Sequence, residues 1–219
     1  MPAQRHFFIT GTDTEVGKTW FTSWLVRSWR AEGHHAAGLK PISAGDRADA
    51  EQLRAAGENA LSLDEINPIH LREPVAPLLA AQTEKREIDF RALNQEIGAL
   101  RKRFTHLAVE GIGGWRVPLA PNYEVREWAR DLGLPVVVVA RAGVGTMNHT
   151  LLTLESIQAA QVKCAGVVLN PGPGGGHAPS PDFDLALRHA ALLESLFRLP
   201  VFYLHRLAHA AGKVPVWLG

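Results

Sequence analysis

The chain has 219 residues, with 23 lysines and arginines against 22 aspartates and glutamates and a formal charge of +1. That balance gives no basic field for nucleic acid, and no apolar run nears the roughly 20 residues that cross a bilayer. No basic-then-apolar leader opens the chain, so a cytoplasmic protein without nucleic-acid or membrane partners is expected, long enough for one large domain spanning 1–219. Its one cysteine, Cys164, rules out an internal disulfide or a cysteine metal site and is expected to be a small buried apolar residue.

Phe7-Phe8-Ile9 reads as a short strand, and Gly11 to Thr19 as a glycine-bearing loop that opens into a helix. This order suits phosphate: backbone N–H groups and the helix dipole face an anion, Lys18 adds a positive charge, and Thr19 offers a hydroxyl to magnesium. The strict motif needs glycine at position 12, where Thr12 stands, and Gly11 comes one residue early. An ordinary turn before a helix is the alternative. From Thr19 to about Glu32, Trp20, Phe21, Trp24 and Leu25 recur at helical spacing, with Ser28 on the same face and Gly33 as the stop. The tryptophans are expected in the core rather than on a stacking surface.

His35 to Leu39 reads as a second strand closed by Lys40-Pro41. Residues past the carboxyl ends of parallel strands line the ligand crevice, which places Lys40 near the loop; a solvated surface lysine is the other reading. Asp46 and Asp49 follow, one of them a candidate for magnesium, before a helical pattern through Leu53 to Ala56. Leu61 to Pro77 reads as irregular, with Asn67-Pro68 and Glu73-Pro74 as breakers. A short helix is expected over Leu78–Gln82. Asp89 is expected to cap a longer helix to about Arg103, whose last-turn Arg101-Lys102-Arg103 complements the dipole.

His106 to Val109 is the next strand, ending in Glu110-Gly111-Ile112-Gly113-Gly114-Trp115. A carboxylate at a buried strand end, followed by glycines, can bind a cation or orient a nucleophile, although a plain flexible turn has the same look. A helix over Val125–Leu132 stops at Gly133. Pro135–Ala140 is β-branched enough for a strand covered on both faces. Ala142 to Thr146 leads to a helix starting near Asn148-His149, a second N-terminus able to hold an anion. From the residues alone, Asn148 reads as a cap and His149 as a buried polar residue. Strand Gly166–Leu169 ends at Asn170, Pro171 to Gly176 reads as a mobile loop, and helix Asp182–Phe197 and strand Val201–Leu204 follow. Such alternation predicts an α/β domain: a parallel sheet with helices on both faces and a crevice at the strand carboxyl ends.

Taken in order, Gly11-Thr12-Asp13-Thr14-Glu15-Val16-Gly17-Lys18-Thr19, Gly38-Leu39-Lys40-Pro41, Val109 to Trp115 with Pro118-Leu119, Gly145 to Thr153, and Asn170 resemble dethiobiotin synthetase, a family of the phosphate-loop NTPases. The resemblance implies a homodimer, each subunit built on about seven parallel strands, that uses ATP and Mg2+. The implied reaction joins 7,8-diaminononanoate with CO2 or bicarbonate to give dethiobiotin, ADP and phosphate, by way of a carbamate and a carbamic-phosphoric anhydride. Residue by residue, it implies that Asp13, Thr14, Glu15, Val16, Gly17, Lys18 and Thr19 hold the nucleotide phosphates and that Asn170 reads the base. Thr19, Asp49 and Glu110 would gather around magnesium. Lys40 would face carbamate and γ-phosphate, acting with Lys18, Thr14 and Glu15; Thr14 and Glu15 would border the diamine, with Ala44 and Gly113 also binding substrate. Val144, Gly145, Thr146, Met147 and Asn148 would hold the substrate carboxylate across the dimer interface, so that each site needs both subunits.

The chain departs from the family at Ala44, where serine is usual before Gly45, and at Phe183, aligned with a tyrosine that contacts substrate. Tyr203-Leu204-His205-Arg206 also lacks the glycine and proline common at the base pocket, which leaves the choice of triphosphate open. Two other readings share the loop. Partition and metallochaperone ATPases use it as a switch, but commonly carry an early second lysine that neither Asp13 nor Thr14 supplies. Cobyrinate-type amidoligases normally carry a fused glutaminase domain, for which this chain has no room.

Overall fold

A computed structural model describes residues 4–171, 181–204 and 212–219, with side chains from 184 onward in the segment that begins at 181. In chain order the first elements are β1 (Arg5–Gly11), α1 (Lys18–Ala31), β2 (Ala36–Leu39), β3 (Ile42–Ala44), α2 (Ala48–Ala56), α3 (Leu63–Ile66), β4 (Ile69–Leu71), α4 (Pro77–Thr83) and α5 (Phe90–Arg103). Then come β5 (His106–Glu110), β6 (Pro118–Ala120), β7 (Tyr123–Glu124), α6 (Val125–Leu132), β8 (Val136–Arg141), α7 (Thr146–Ala159), β9 (Cys164–Asn170), α8 (Pro181–Phe197) and β10 (Val201–Tyr203).

The principal sheet has the order β10-β9-β8-β1-β5-β2, and all its pairings are parallel. Six strands among the described residues replace the seven or so that the resemblance implied. β3 and β4 form a separate parallel pair, and β6 and β7 an antiparallel one. Pro41, which has no N–H to give a ladder, separates β2 from β3.

Period-two alternation assigns each strand residue to one of two cores. Phe7, Ile9, Val137, Val139 and Val168 meet Phe21, Trp24, Leu25, Val26 and Trp29 of α1. Phe8, Val109, Val136, Val138 and Val167 form the opposite core with α5 and α6, where the Phe8 and Trp128 rings stand nearly perpendicular at 5.3 Å between centroids. Trp24 and Trp29 are buried as expected, and Trp29 Nε1 donates to the Leu218 carbonyl at 2.9 Å. Trp20 is half-buried instead. Ser28 is fully buried, its hydroxyl donating to the Trp24 carbonyl at 2.8 Å.

Asp89 caps α5 by accepting from the Ala92 N–H, and α6 covers the expected span with Gly133 at φ 62°. The stretch read as irregular instead contains α3 and β4. A reciprocal capping box between Ser62 and Glu65 starts that helix. Cys164 is half-buried rather than buried, and burial pushes its thiol up to about 11. No helix among the described residues is long and apolar enough to cross a membrane. The expected mobile loop at 172–176, the Phe183 side chain, and His205-Arg206 lie outside the described residues.

Candidate active site

Because the strands run parallel, Gly11, Leu39, Glu110 and Asn170 end at one edge of the sheet. The loop leaving β1 is shaped by contacts that explain its unusual spacing. A Cβ on Gly11 would lie 2.8 Å from both the Asp13 carbonyl oxygen and Val16 Cγ2, so glycine is needed here rather than at position 12. The Thr12 N–H donates to the Val139 carbonyl at 3.0 Å, and Glu15 and Gly17 take left-handed backbone at φ 54° and 89°. Asn170, buried at the end of β9, donates through Nδ2 to the Val16 carbonyl at 2.8 Å. A Cβ at Gly17 would sit 1.8 Å from that nitrogen.

Beside the loop is a cleft of about 430 Å³ lined by Thr14, Glu15, Gly17, Lys18, Thr19, Lys40, Ala44, Asp49 and Gly113 from the expected set. Trp20, Ser43, Asp46, Gln52 and Ile112 also line it, and the sequence reading gave none of them a settled role there. Asp13 lies outside the lining, with its carboxylate accepting from the Thr14 N–H at 2.7 Å.

The chemistry concentrates on two buried lysines and two carboxylates. Lys40 Nζ donates to Glu110 Oε1 and to Asp49 Oδ2, each at 2.7 Å, so it is not a solvated surface lysine. The Thr19 hydroxyl donates to the same Glu110 oxygen at 2.7 Å. Burial by itself would lower the Lys40 pKa; the charges of Glu110 and Asp49 outweigh it and hold the ammonium above its ordinary value. Burial likewise opposes ionisation of Asp49, and Lys40 reverses that, leaving the carboxyl below its ordinary range. Lys18 lacks such a partner. Its Nζ donates to the Asp13 carbonyl at 3.0 Å, and burial followed by the charge of Lys40 pushes it down to about 8.

Glu110 is fully buried, and its Oε2 has no hydrogen-bond partner. A buried ionised oxygen left unpaired is costly, and a hard cation removes the cost. The donor set is oxygen throughout: Glu110 Oε2, Asp49 and the Thr19 hydroxyl. Among the described residues, no cluster of three or more His, Cys, Asp or Glu could cage a metal unaided. Few protein ligands beside substrate phosphates is the pattern that suits Mg2+, which keeps much of its water. The residues fit that ion.

Val144 to Asn148 are not brought to this cleft. Val144 is 96% exposed, and Asn148 and His149 are exposed as well. Gly145, at φ 87°, caps α7, which therefore starts at Thr146 rather than near Asn148. Asn148 is thus a third-position residue and not the cap, and His149 is not buried.

One buried polar neighbour of the cleft was not legible in the sequence. Asn67, treated there as a turn breaker, is buried and accepts from the Ser43 hydroxyl at 3.0 Å. The Ser43 hydroxyl is thereby committed to the scaffold, and Ala44 brings only a methyl group to the cleft.

A family model described as an AAA domain matches residues 5–202. The ATP-dependent dethiobiotin synthetase BioD of Akkermansia muciniphila is 43% identical over 166 residues, 76% of this chain and 78% of that protein. The protein of the same name from Anaeromyxobacter dehalogenans strain 2CP-C is 40% identical over 220 residues, 96% of each chain. Among solved structures, the cell division protein FtsY of Thermotoga maritima superposes with a TM-score of 0.59 at 15% identity, covering all of this chain and 68% of its own, a likeness of fold alone. Identity and coverage at the level of the two synthetases place the chain in a family: it belongs to the dethiobiotin synthetases.

Proposed function

We propose that the chain forms dethiobiotin from 7,8-diaminononanoate, CO2 and ATP. The observation that carries this reading is Lys40, buried between Glu110 and Asp49 on the cleft that also receives Lys18 and Thr19. A buried, positively charged group in that position suits a reaction whose reacting partners are both anions.

In the proposed sequence, one substrate amine attacks CO2 and loses a proton, giving a carbamate. A carbamate oxygen then attacks the γ-phosphorus while the bond to the ADP oxygen breaks. The second amine attacks the carbonyl carbon of the resulting anhydride, the C–O bond to phosphate breaks, a proton leaves, and the ureido ring closes. No covalent nucleophile is asked of the protein, whose work is positioning and charge stabilisation.

Lys18 exchanges the Asp13 carbonyl for the nucleotide phosphates, and Lys40 turns from its carboxylates toward carbamate and γ-phosphate. Thr19, Asp49 and Glu110 hold Mg2+, which when bound neutralises charge on the phosphate oxygens. Thr14 and Glu15 face the diamine, with Ala44 and Gly113 beside it, and Asn170 contacts the base. Val144 to Asn148, which do not line their own cleft, hold the substrate carboxylate in the partner subunit of a homodimer working in the cytoplasm. The test is to incubate the purified protein with diaminononanoate, bicarbonate, ATP and magnesium and to seek dethiobiotin by mass spectrometry. Failure to form it with any common nucleoside triphosphate defeats the proposal.

A further inference from the structure

A hydrogen-bonding hub lies behind Lys40. Asn67 is 1% exposed and uses its whole carboxamide. Nδ2 donates to the Lys40 carbonyl at 2.7 Å and to the Ile69 carbonyl at 3.3 Å. Oδ1 accepts from Ser43 Oγ at 3.0 Å and from Arg47 Nε at 2.9 Å. The neighbouring backbone adds a second clasp: the Lys40 N–H donates to the Ile66 carbonyl, and the Ile69 N–H to the Pro41 carbonyl, each at 3.0 Å.

Arg47 carries the hub to the other end of the ion pair. It directly precedes α2, whose second residue is Asp49. Its guanidinium is fixed further by the Leu63 and Asn67 carbonyls at 3.0 and 2.9 Å and by Asp64 at 2.9 Å. One carboxamide therefore ties the segment that launches Lys40 to the helix start that carries Asp49. Its orientation is dictated, since a flipped amide would turn its NH2 toward the Arg47 N–H and its oxygen toward two carbonyls.

We infer that Asn67, with Arg47, is a positioning residue for the reaction: it sets the placement of Lys40 relative to Asp49 and Glu110. The inference rests on the role given to Lys40 under Proposed function. Asn67→Asp tests it with little change of volume. The carboxylate keeps the Ser43 and Arg47 bonds but puts an oxygen against the Lys40 and Ile69 carbonyls, breaking the lysine half of the hub.

Two readouts separate positioning from general stability. The first is acetylation by dilute acetic anhydride, followed at each lysine by peptide mass spectrometry and needing no activity. In Asn67→Asp, Lys40 should react at least five-fold faster than in the unaltered chain, with exposed Lys85 and Lys102 unchanged within two-fold. The second is turnover: kcat should fall at least ten-fold while KM for ATP stays within two-fold. If every lysine reacts faster, the variant has unfolded, and Arg47→Gln, at a partly exposed position, takes its place with the same two readouts and a Lys40 increase of at least three-fold. A folded variant with unchanged Lys40 labelling overturns the inference, as does one whose kcat and KM for ATP change by the same factor. If the unaltered protein forms no dethiobiotin, the functional reading fails, and the labelling result still decides whether Asn67 holds Lys40.

Discussion

Lys18→Met should make the nucleotide-free protein more stable while removing its affinity for ATP. In the free protein the Lys18 ammonium is buried, and desolvation followed by the charge of Lys40 brings its pKa from 10.5 to about 8. Keeping it protonated at pH 7 therefore costs the folded state about 3 kcal/mol. Methionine removes that cost and forfeits the bond to the Asp13 carbonyl, worth about 1 kcal/mol. The net gain is about 2 kcal/mol, or a rise in Tm of about 4–8 °C for a chain of this size. Between pH 8 and 10.5 the unfolded chain binds the Lys18 proton and the folded chain does not, so the native protein gains stability as pH rises through that window. The advantage of the variant should consequently be full below pH 8 and fade towards pH 10.5. Thermal unfolding by circular dichroism at pH 7 and pH 10, with and without ATP and magnesium, measures all of this. A variant less stable than the parent at pH 7, or equally favoured at both values, refutes the electrostatic reasoning.

Lys40→Ala should lower kcat by about a hundred-fold or more while nucleotide affinity, measured by calorimetry, changes only a few-fold; equal losses would deny it a transition-state role. The same substitution leaves Glu110 buried beside Thr19 without its cation, and urea denaturation should show a loss of about 3–5 kcal/mol at pH 7, most of it recovered in Lys40→Ala with Glu110→Gln. Gly17→Ala, with its Cβ 1.8 Å from Asn170 Nδ2 and a left-handed backbone, should abolish ATP binding in fluorescence titration; binding within two-fold of the parent would show that the loop yields. Asn148→Ala should chiefly raise KM for diaminononanoate, and an effect confined to nucleotide affinity would misplace the carboxylate site.

The six strands of the principal sheet and most helices were legible because their signals are local, whereas the short strands β3, β4, β6 and β7 were not. Val136 to Val139 announces a doubly covered strand, and Asp89 and Gly133 punctuate their helices as side-chain chemistry requires. Glu110 and Lys40 were legible as residues past strand ends, and the sheet brings them together across 70 positions of sequence. Asp49 was less so, since its place depends on where α2 begins, next to Arg47, whose guanidinium bonds Asn67. Asn67 itself looks like any residue before proline; its importance comes from burial and from four partners, none of which a sequence pattern records. The start of α3 is signalled by the Ser62–Glu65 spacing, which the prolines around it mask. At α7, Gly145 in left-handed backbone moved the helix start two residues ahead of the polar pair that suggested it.

In the proposed reaction a carbamate oxygen attacks the γ-phosphate beside Lys40. Supplying CO2 labelled with 18O, in a rapid-quench reaction short against its exchange with water, tests that step directly. Each inorganic phosphate released with dethiobiotin should carry one labelled oxygen, with one retained in the ureido carbonyl. Unlabelled phosphate accompanying labelled dethiobiotin would contradict it.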